Sequence, residues 1–173
     1  MGIKVLDCTL RDGAYVVDSK FGEQRILNIL NTLENANIDI IECGWLRDCC
    51  HEKNSVLYKI PNDAKSYIKN IRPEIAMMFD YGKYDISKLP QNNGLTNIIR
   101  IAFYKKNLDE ISFAVEKVKN KGYKVYFTNA EFEYQNAKRR VEINEYMIAF
   151  KEWNERIENE SIYIFCIRHD FRN

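Results

Sequence analysis

The 173-residue sequence has little of what marks specialised chain types. Three prolines and seven glycines exclude a collagen-like or low-complexity chain. No apolar run approaches the roughly 20 residues of a membrane helix, so no membrane partner is expected. Charges at Lys4 and Asp7 come too early for the apolar region of a signal peptide. An excess of one charge is also absent. With 26 Lys+Arg against 25 Asp+Glu, the net charge is +1, which argues against nucleic-acid binding driven by phosphate contacts. The five cysteines are odd in number and irregularly spaced, which excludes a disulfide framework. Reduced thiols and a cytoplasmic location are the expectation. No glycine-rich G-x-G-x-x-G follows the first apolar run, no G-x-x-x-x-G-K loop occurs, and no Ser-His-Asp order appears. The histidines are His51 and His169 alone.

What the sequence does have is an alternation of short apolar runs and helical stripes, with 46% hydrophobic residues to build a core. Ile3–Asp7, Ile38–Glu42, Ile75–Phe79, Asn97–Phe103, Lys124–Thr128 and Ser161–Ile167 predict six strands. Between them, Ile26, Leu27, Ile29, Leu30 and Leu33 mark a helix over 22–36. Ala64, Tyr67, Ile68 and Ile71 mark a second, ended by Pro73. Ile111, Ala114, Val115 and Val118 mark a third, with Asn107 and Glu110 as a capping box and Gly122 as its stop. Ile143, Tyr146, Met147, Phe150, Trp153 and Ile157 mark a fourth. Residues 45–61 and 80–96 are expected as loops. Repeated β-α units imply a parallel sheet, either doubly wound or a (β/α)8 barrel. The fold expected is α/β, a partial TIM barrel of about six βα units, because a full barrel needs about 250 residues.

In such folds the ligand site lies beyond the carboxyl ends of the strands. There the chain reads Leu6-Asp7-Cys8-Thr9-Leu10-Arg11-Asp12-Gly13. An adjacent base and acid is compatible with a plain surface turn, but the whole octet strongly resembles the opening motif of the DRE-TIM metallolyase superfamily, the HMG-CoA lyase-like barrels. The likeness is greatest to the 4-hydroxy-2-oxovalerate aldolase-like branch. Ile40–Asp48 resembles that branch's second-strand motif, and Phe79–Gly82 and Arg100–Phe103 its third and fourth strands. The resemblance runs from about residue 3 to about residue 128.

It implies metal-dependent carbon–carbon cleavage or formation through the enolate of a small keto acid or acyl donor. Asp12 matches the carboxylate ligand of a divalent metal, Mg²⁺ or Mn²⁺. Arg11 matches the arginine that steadies the enolate oxygen. Glu42 matches the acid that orients that arginine. Tyr15 stands where the aldolase carries a catalytic histidine, and is expected as a hydrogen-bond donor or acid, or as a ring covering the barrel mouth. Asn129, just past the fifth strand, is a candidate substrate contact.

The sequence also departs from the family. The His-x-His ligand pair of the seventh strand has no counterpart, so the metal site is incomplete in this chain. The sixth strand ends without the family's usual turn. The expectation is a single truncated aldolase-type TIM-barrel domain over residues 1–173, with the implied activity impaired or lost in this chain. A catalytically inactive remnant, or an interaction module completed by a second chain, is the alternative. Unpaired barrel edges are expected to drive self-association. Cys43, Cys49, Cys50 and His51 are too poorly spaced for zinc, and the cysteines are expected as free thiols in the second βα loop. The basic runs at Lys105-Lys106, Lys119-Lys121 and Lys138-Arg139-Arg140 are expected to be solvated surface.

Overall fold

The computed structural model describes residues 4–49 and 51–129. The predicted helix at 143–157, the predicted strand at 161–167, Cys50, Cys166 and His169 lie outside the described residues.

The described strands are β1 (Leu6–Asp7), β2 (Ile40–Leu46), β3 (Leu57–Tyr58), β4 (Glu74–Asp80), β5 (Ile98–Phe103) and β6 (Lys124–Asn129). Their hydrogen-bonded order is β1-β2-β4-β5-β6, every pair parallel, with the short β3 attached to β2. Sequential parallel neighbours with helical crossovers form a curled half-barrel. The expected partial α/β barrel is therefore the observed fold. Four helices accompany the described strands: α1 (Thr9–Asp12), α2 (Glu23–Asn35), α3 (Lys65–Ile68) and α4 (Leu108–Asn120).

The central strands β2, β4 and β5 are buried almost throughout, as expected where both faces of a parallel sheet are covered. Register separates the two faces. Ile41, Ile75, Met77, Phe79, Ile99, Ile101 and Phe103 join the main core with Ile26 and Leu30 of α2 and Ile111, Ala114, Val115 and Val118 of α4. Alternate positions turn to the concave side. There Leu6, Ile40, Ala76 and Ile98 form a small cluster with Tyr126 against it, and Trp45, Met78 and Ala102 form another.

Strand β2 runs past its expected end at Glu42 because an irregularity between Glu42 and Trp45 shifts its register with β4. Gly44 makes this possible. Its φ is +156°, and a Cβ there would lie 2.2 Å from the Val56 carbonyl oxygen. Only glycine lets the chain at Val56 approach so closely. The shift turns Trp45 to the face that Glu42 lines. The expected loop at 45–61 thus contains the end of β2 and all of β3.

Helix α3 is a single turn behind the 3₁₀ turn Pro61–Ala64, and it ends at Ile68, well before Pro73. The capping box expected on α4 does not form. A 3₁₀ turn over Lys105–Asn107 leads into the helix, and Asn107 makes no side-chain cap. Glu110 instead accepts a hydrogen bond from the Tyr81 hydroxyl at 3.3 Å.

Candidate active site

The octet folds as strand, cap and turn. At the end of β1 the Asp7 carboxylate accepts from the Thr9 backbone N–H at 2.8 Å and from its hydroxyl at 3.0 Å. This local pairing turns the chain out of the strand and starts α1. The turn closes with Asp12 N–H donating to Cys8 C=O at 2.7 Å. Leu10 is fully buried in the main core, so α1 cannot roll. Trp45 Nε1 donates to the Arg11 carbonyl at 3.2 Å and ties the turn to β2. Arg11 is thereby fixed at the carboxyl end of the sheet.

Its side chain is 1% exposed. Nε donates to Glu42 Oε1 at 2.5 Å, and Nη1 to Asp12 Oδ1 at 2.7 Å. Glu42 is completely buried, and a second guanidinium meets it. Arg100 Nη2 donates to Oε1 at 2.8 Å, and its Nε lies 2.5 Å from Oε2. Arg100 Nη2 also contacts the Met78 sulfur at 3.0 Å. Burial works to raise the Glu42 pKa, but Arg100 and Arg11 outweigh it and hold the carboxyl below its usual range. Arg11, Arg100, Glu42 and Asp12 together carry two positive and two negative charges. A buried carboxylate between two guanidiniums is a rigid device, because neither cation can leave without stranding the acid.

The structure thus brings Arg11, Asp12 and Glu42 together on the concave side. Asp12 remains a quarter exposed at the mouth of the site. Tyr15 is 66% exposed, and its ring meets Trp45 edge-on at 5.9 Å. The backbone of Asn129 closes β6 in register with Phe103. Arg100 is the site residue that the sequence reading does not single out. Its signal is a lone charge within the apolar run Ile98-Ile99-Arg100-Ile101-Ala102-Phe103, which a buried strand tolerates only when that charge is paired.

Around Trp45 a further layer forms at the rim. Arg11 lies 5.4 Å from the indole centroid and Arg47 4.6 Å from it. Arg47 Nη1 pairs with Asp80 at the end of β4 at 2.9 Å, and Lys83 Nζ reaches the same carboxylate at 3.2 Å.

The described residues do not by themselves fit a metal centre. No group of three or more His, Cys, Asp or Glu side chains comes together among them. Asp12 is the one carboxylate at the expected position, and its Oδ1 accepts from Arg11. Among the described residues, Cys43, Cys49 and His51 do not come together in a metal-binding group. Cys43 packs in the main core, where burial pushes its thiol pKa up, while Cys49 is exposed. Cys8, Cys43 and Cys49 are in no disulfide among the described residues. His51 Nδ1 lies 2.9 Å from the Leu57 carbonyl oxygen and its ring stacks on Tyr58.

Comparison with solved structures finds a likeness to the "N-terminal domain of a putative aldolase from Bacteroides vulgatus", with a TM-score of 0.55 and 23% identity. It covers 80% of this chain and 48% of the other, so this chain spans about half the length of that structure. The likeness shows an aldolase-like fold. No family model and no curated protein matches the sequence. No helix among the described residues is long and apolar enough to cross a membrane.

Proposed function

We propose that the concave face carries out aldolase- or lyase-type carbon–carbon chemistry on a small keto acid or acyl donor. The observation that supports this most is the buried guanidinium of Arg11, held by Glu42 and Asp12 at the carboxyl end of a parallel half-barrel. Cleaving a bond next to a ketone moves the bonding electrons onto the keto oxygen as an enolate. A fixed cation in a site of low dielectric lowers that barrier without reorganising. Arg11 would balance the oxyanion, and Glu42 would orient Arg11, with Arg100 holding Glu42 in turn. Tyr15, exposed over Trp45, would supply a hydrogen bond or a proton from its hydroxyl. Asn129 would contact substrate from the end of β6. Asp12 would give its carboxylate to Mg²⁺ or Mn²⁺, with the remaining ligands coming from outside the described residues.

The test is release of pyruvate from a 4-hydroxy-2-oxo acid, or of acetyl-CoA from a 3-hydroxyacyl-CoA, with Mn²⁺ present. Arg11→Lys is expected to lower the rate by about 100-fold, as for removal of one oxyanion donor. Equal rates in the two proteins, or no release by the wild type, would overturn the assignment.

A second reading is a non-catalytic barrel module, and the incomplete ligand set among the described residues favours it. Titration with Mn²⁺ separates the two. Binding abolished by Asp12→Ala supports a metal site, whereas binding indifferent to Asp12 supports the module. Self-association is also proposed, since β1 and β6 have no further strand on their outer edges among the described residues. A sharp monomer in sedimentation velocity at micromolar concentration would refute it.

A further inference from the structure

The rim around Trp45 contains a second cationic position that the enolate chemistry does not use. The register shift at Gly44 places Trp45 with Met78 and Ala102 on the concave side, and Arg47 follows two residues later. Its backbone N–H is anchored to the Tyr58 carbonyl at 2.9 Å, and its guanidinium lies 4.6 Å from the indole centroid. The side chain is 26% exposed, against 1% for Arg11. Two guanidiniums therefore share one indole, the inner one sealed and the outer one open to solvent. Charge distinguishes them as well. The inner group, Arg11, Arg100, Glu42 and Asp12, is balanced. The outer group, Arg47 and Lys83 about the single carboxylate of Asp80, carries one surplus positive charge.

We propose that Arg47 is a specificity-determining residue that binds a second carboxylate on the substrate, remote from the carbonyl that becomes the enolate. The inference rests on the aldolase- or lyase-type reading and names its substrate class: a short dicarboxylic keto acid rather than a simple 2-oxo acid. The planar face of Arg47 is held on Trp45, so its fork is pre-organised for a bidentate carboxylate. Asp80 acts as an internal competitor that keeps the guanidinium in place while the site is empty of substrate. An incoming carboxylate neutralises the surplus charge and shares Arg47 and Lys83 with Asp80.

The experiment is calorimetric titration of the full chain, with Mg²⁺ present, using two probes of equal carbon count. One is 2-oxoglutarate. The other is 2-oxopentanoate, which carries a methyl group in place of the distal carboxylate. Wild type is expected to bind 2-oxoglutarate about tenfold more tightly, the scale of one partly solvated charge-assisted pair. Arg47→Gln should erase that preference and leave 2-oxopentanoate affinity unchanged. Asp80→Asn works in the opposite direction. By removing the competitor, it should strengthen 2-oxoglutarate binding several-fold, and a destabilised fold cannot mimic a gain. Equal affinity for the two probes in wild type, or parallel losses for both in Arg47→Gln, would overturn the proposal. So would weaker 2-oxoglutarate binding in Asp80→Asn. The underlying reading fails separately: a chain that prefers the dicarboxylate through Arg47 yet cleaves no substrate keeps the anchor and loses the lyase assignment.

Discussion

The two faces of one sheet have opposite chemistry. On the convex side of β4 and β5, Ile75, Met77, Phe79, Ile99, Ile101 and Phe103 pack against helices in a continuous apolar layer. On the concave side the same two strands contribute Ala76, Met78, Asp80, Ile98, Arg100 and Ala102, and β2 contributes Glu42. Both faces are closed to water near the middle of the sheet, so burial alone does not tell them apart. The difference is how each is stabilised. The convex face gains from removing apolar area from water and loses gradually as atoms are removed. The concave face depends on charges that are tolerable only together.

That contrast can be broken most severely at Glu42. Glu42→Gln takes away the carboxylate that Arg11 and Arg100 share and leaves the two buried positive charges of the cluster opposed by the single charge of Asp12. A loss of about 3–5 kcal/mol is expected in urea unfolding. The informative companion is the triple change Arg11→Met, Glu42→Leu, Arg100→Met. Replacing the three fully buried charges with apolar side chains, while the partly exposed Asp12 stays, is expected to restore stability to wild type or above and to abolish any enolate chemistry. Should the triple variant be as unstable as Glu42→Gln, the face is not held by mutual compensation of charge.

Phe79→Ala is the matching change on the convex side. It removes a fully buried ring that packs at 5.3 Å from Tyr84. A loss of about 3–4 kcal/mol is expected from burial and cavity terms together. Unlike the loss at Glu42, this one should be insensitive to pH. Glu42 is held below the usual glutamate range in the folded chain. On unfolding its pKa returns toward 4.5, so the unfolded chain takes up the proton first. The stability linked to Glu42 is therefore complete above about pH 4.5 and is lost as pH falls from there toward the depressed value. The difference in stability between wild type and Glu42→Gln should shrink over that interval, and the difference for Phe79→Ala should stay constant.

The convex face was far more legible in the sequence than the concave one. Apolar residues recur at helical spacing in α2 and α4, and burial requires little more than that pattern, so both helices stand within a residue or so of expectation. The octet placed Arg11 and Asp12 at the end of the first strand, where they are found. What was hidden depended on register. The extension of β2 through Trp45 needs Gly44 against the Val56 carbonyl, a contact twelve residues away that no local pattern announces. β3 is two residues long and has no periodicity to detect. The cap on α4 looked right by spacing, yet Glu110 found the Tyr81 hydroxyl instead, a partner 29 residues away. Arg100 stood in plain view as a charge in an apolar strand, but its partner Glu42 is 58 residues distant.

The smallest effect is expected where the concave arrangement recurs without burial. At the amino ends of the strands, Glu74 of β4 also accepts two cations. Lys4 Nζ lies 2.5 Å from Oε1 and Lys124 Nζ 2.7 Å from Oε2. The lysine side chains are 45% and 55% exposed, and water screens both pairs. Burial tends to raise the Glu74 pKa here too, and Lys124 and Lys4 again hold it below the usual range. Its acid limb should therefore have the same sign as that of Glu42. The size should not match, because exposed pairs contribute at most about 1 kcal/mol each and often nothing measurable. Glu74→Gln is expected to cost less than about 1 kcal/mol in dilute buffer. In about 1 M salt, where the screening length is roughly 3 Å, that cost should vanish. The cost of Glu42→Gln should persist in the same salt, because mobile ions do not enter the closed interior. If the Glu42 cost also collapsed in salt, the buried cluster would be open to solvent, and the rigid hold of Glu42 on Arg11 would have to be abandoned.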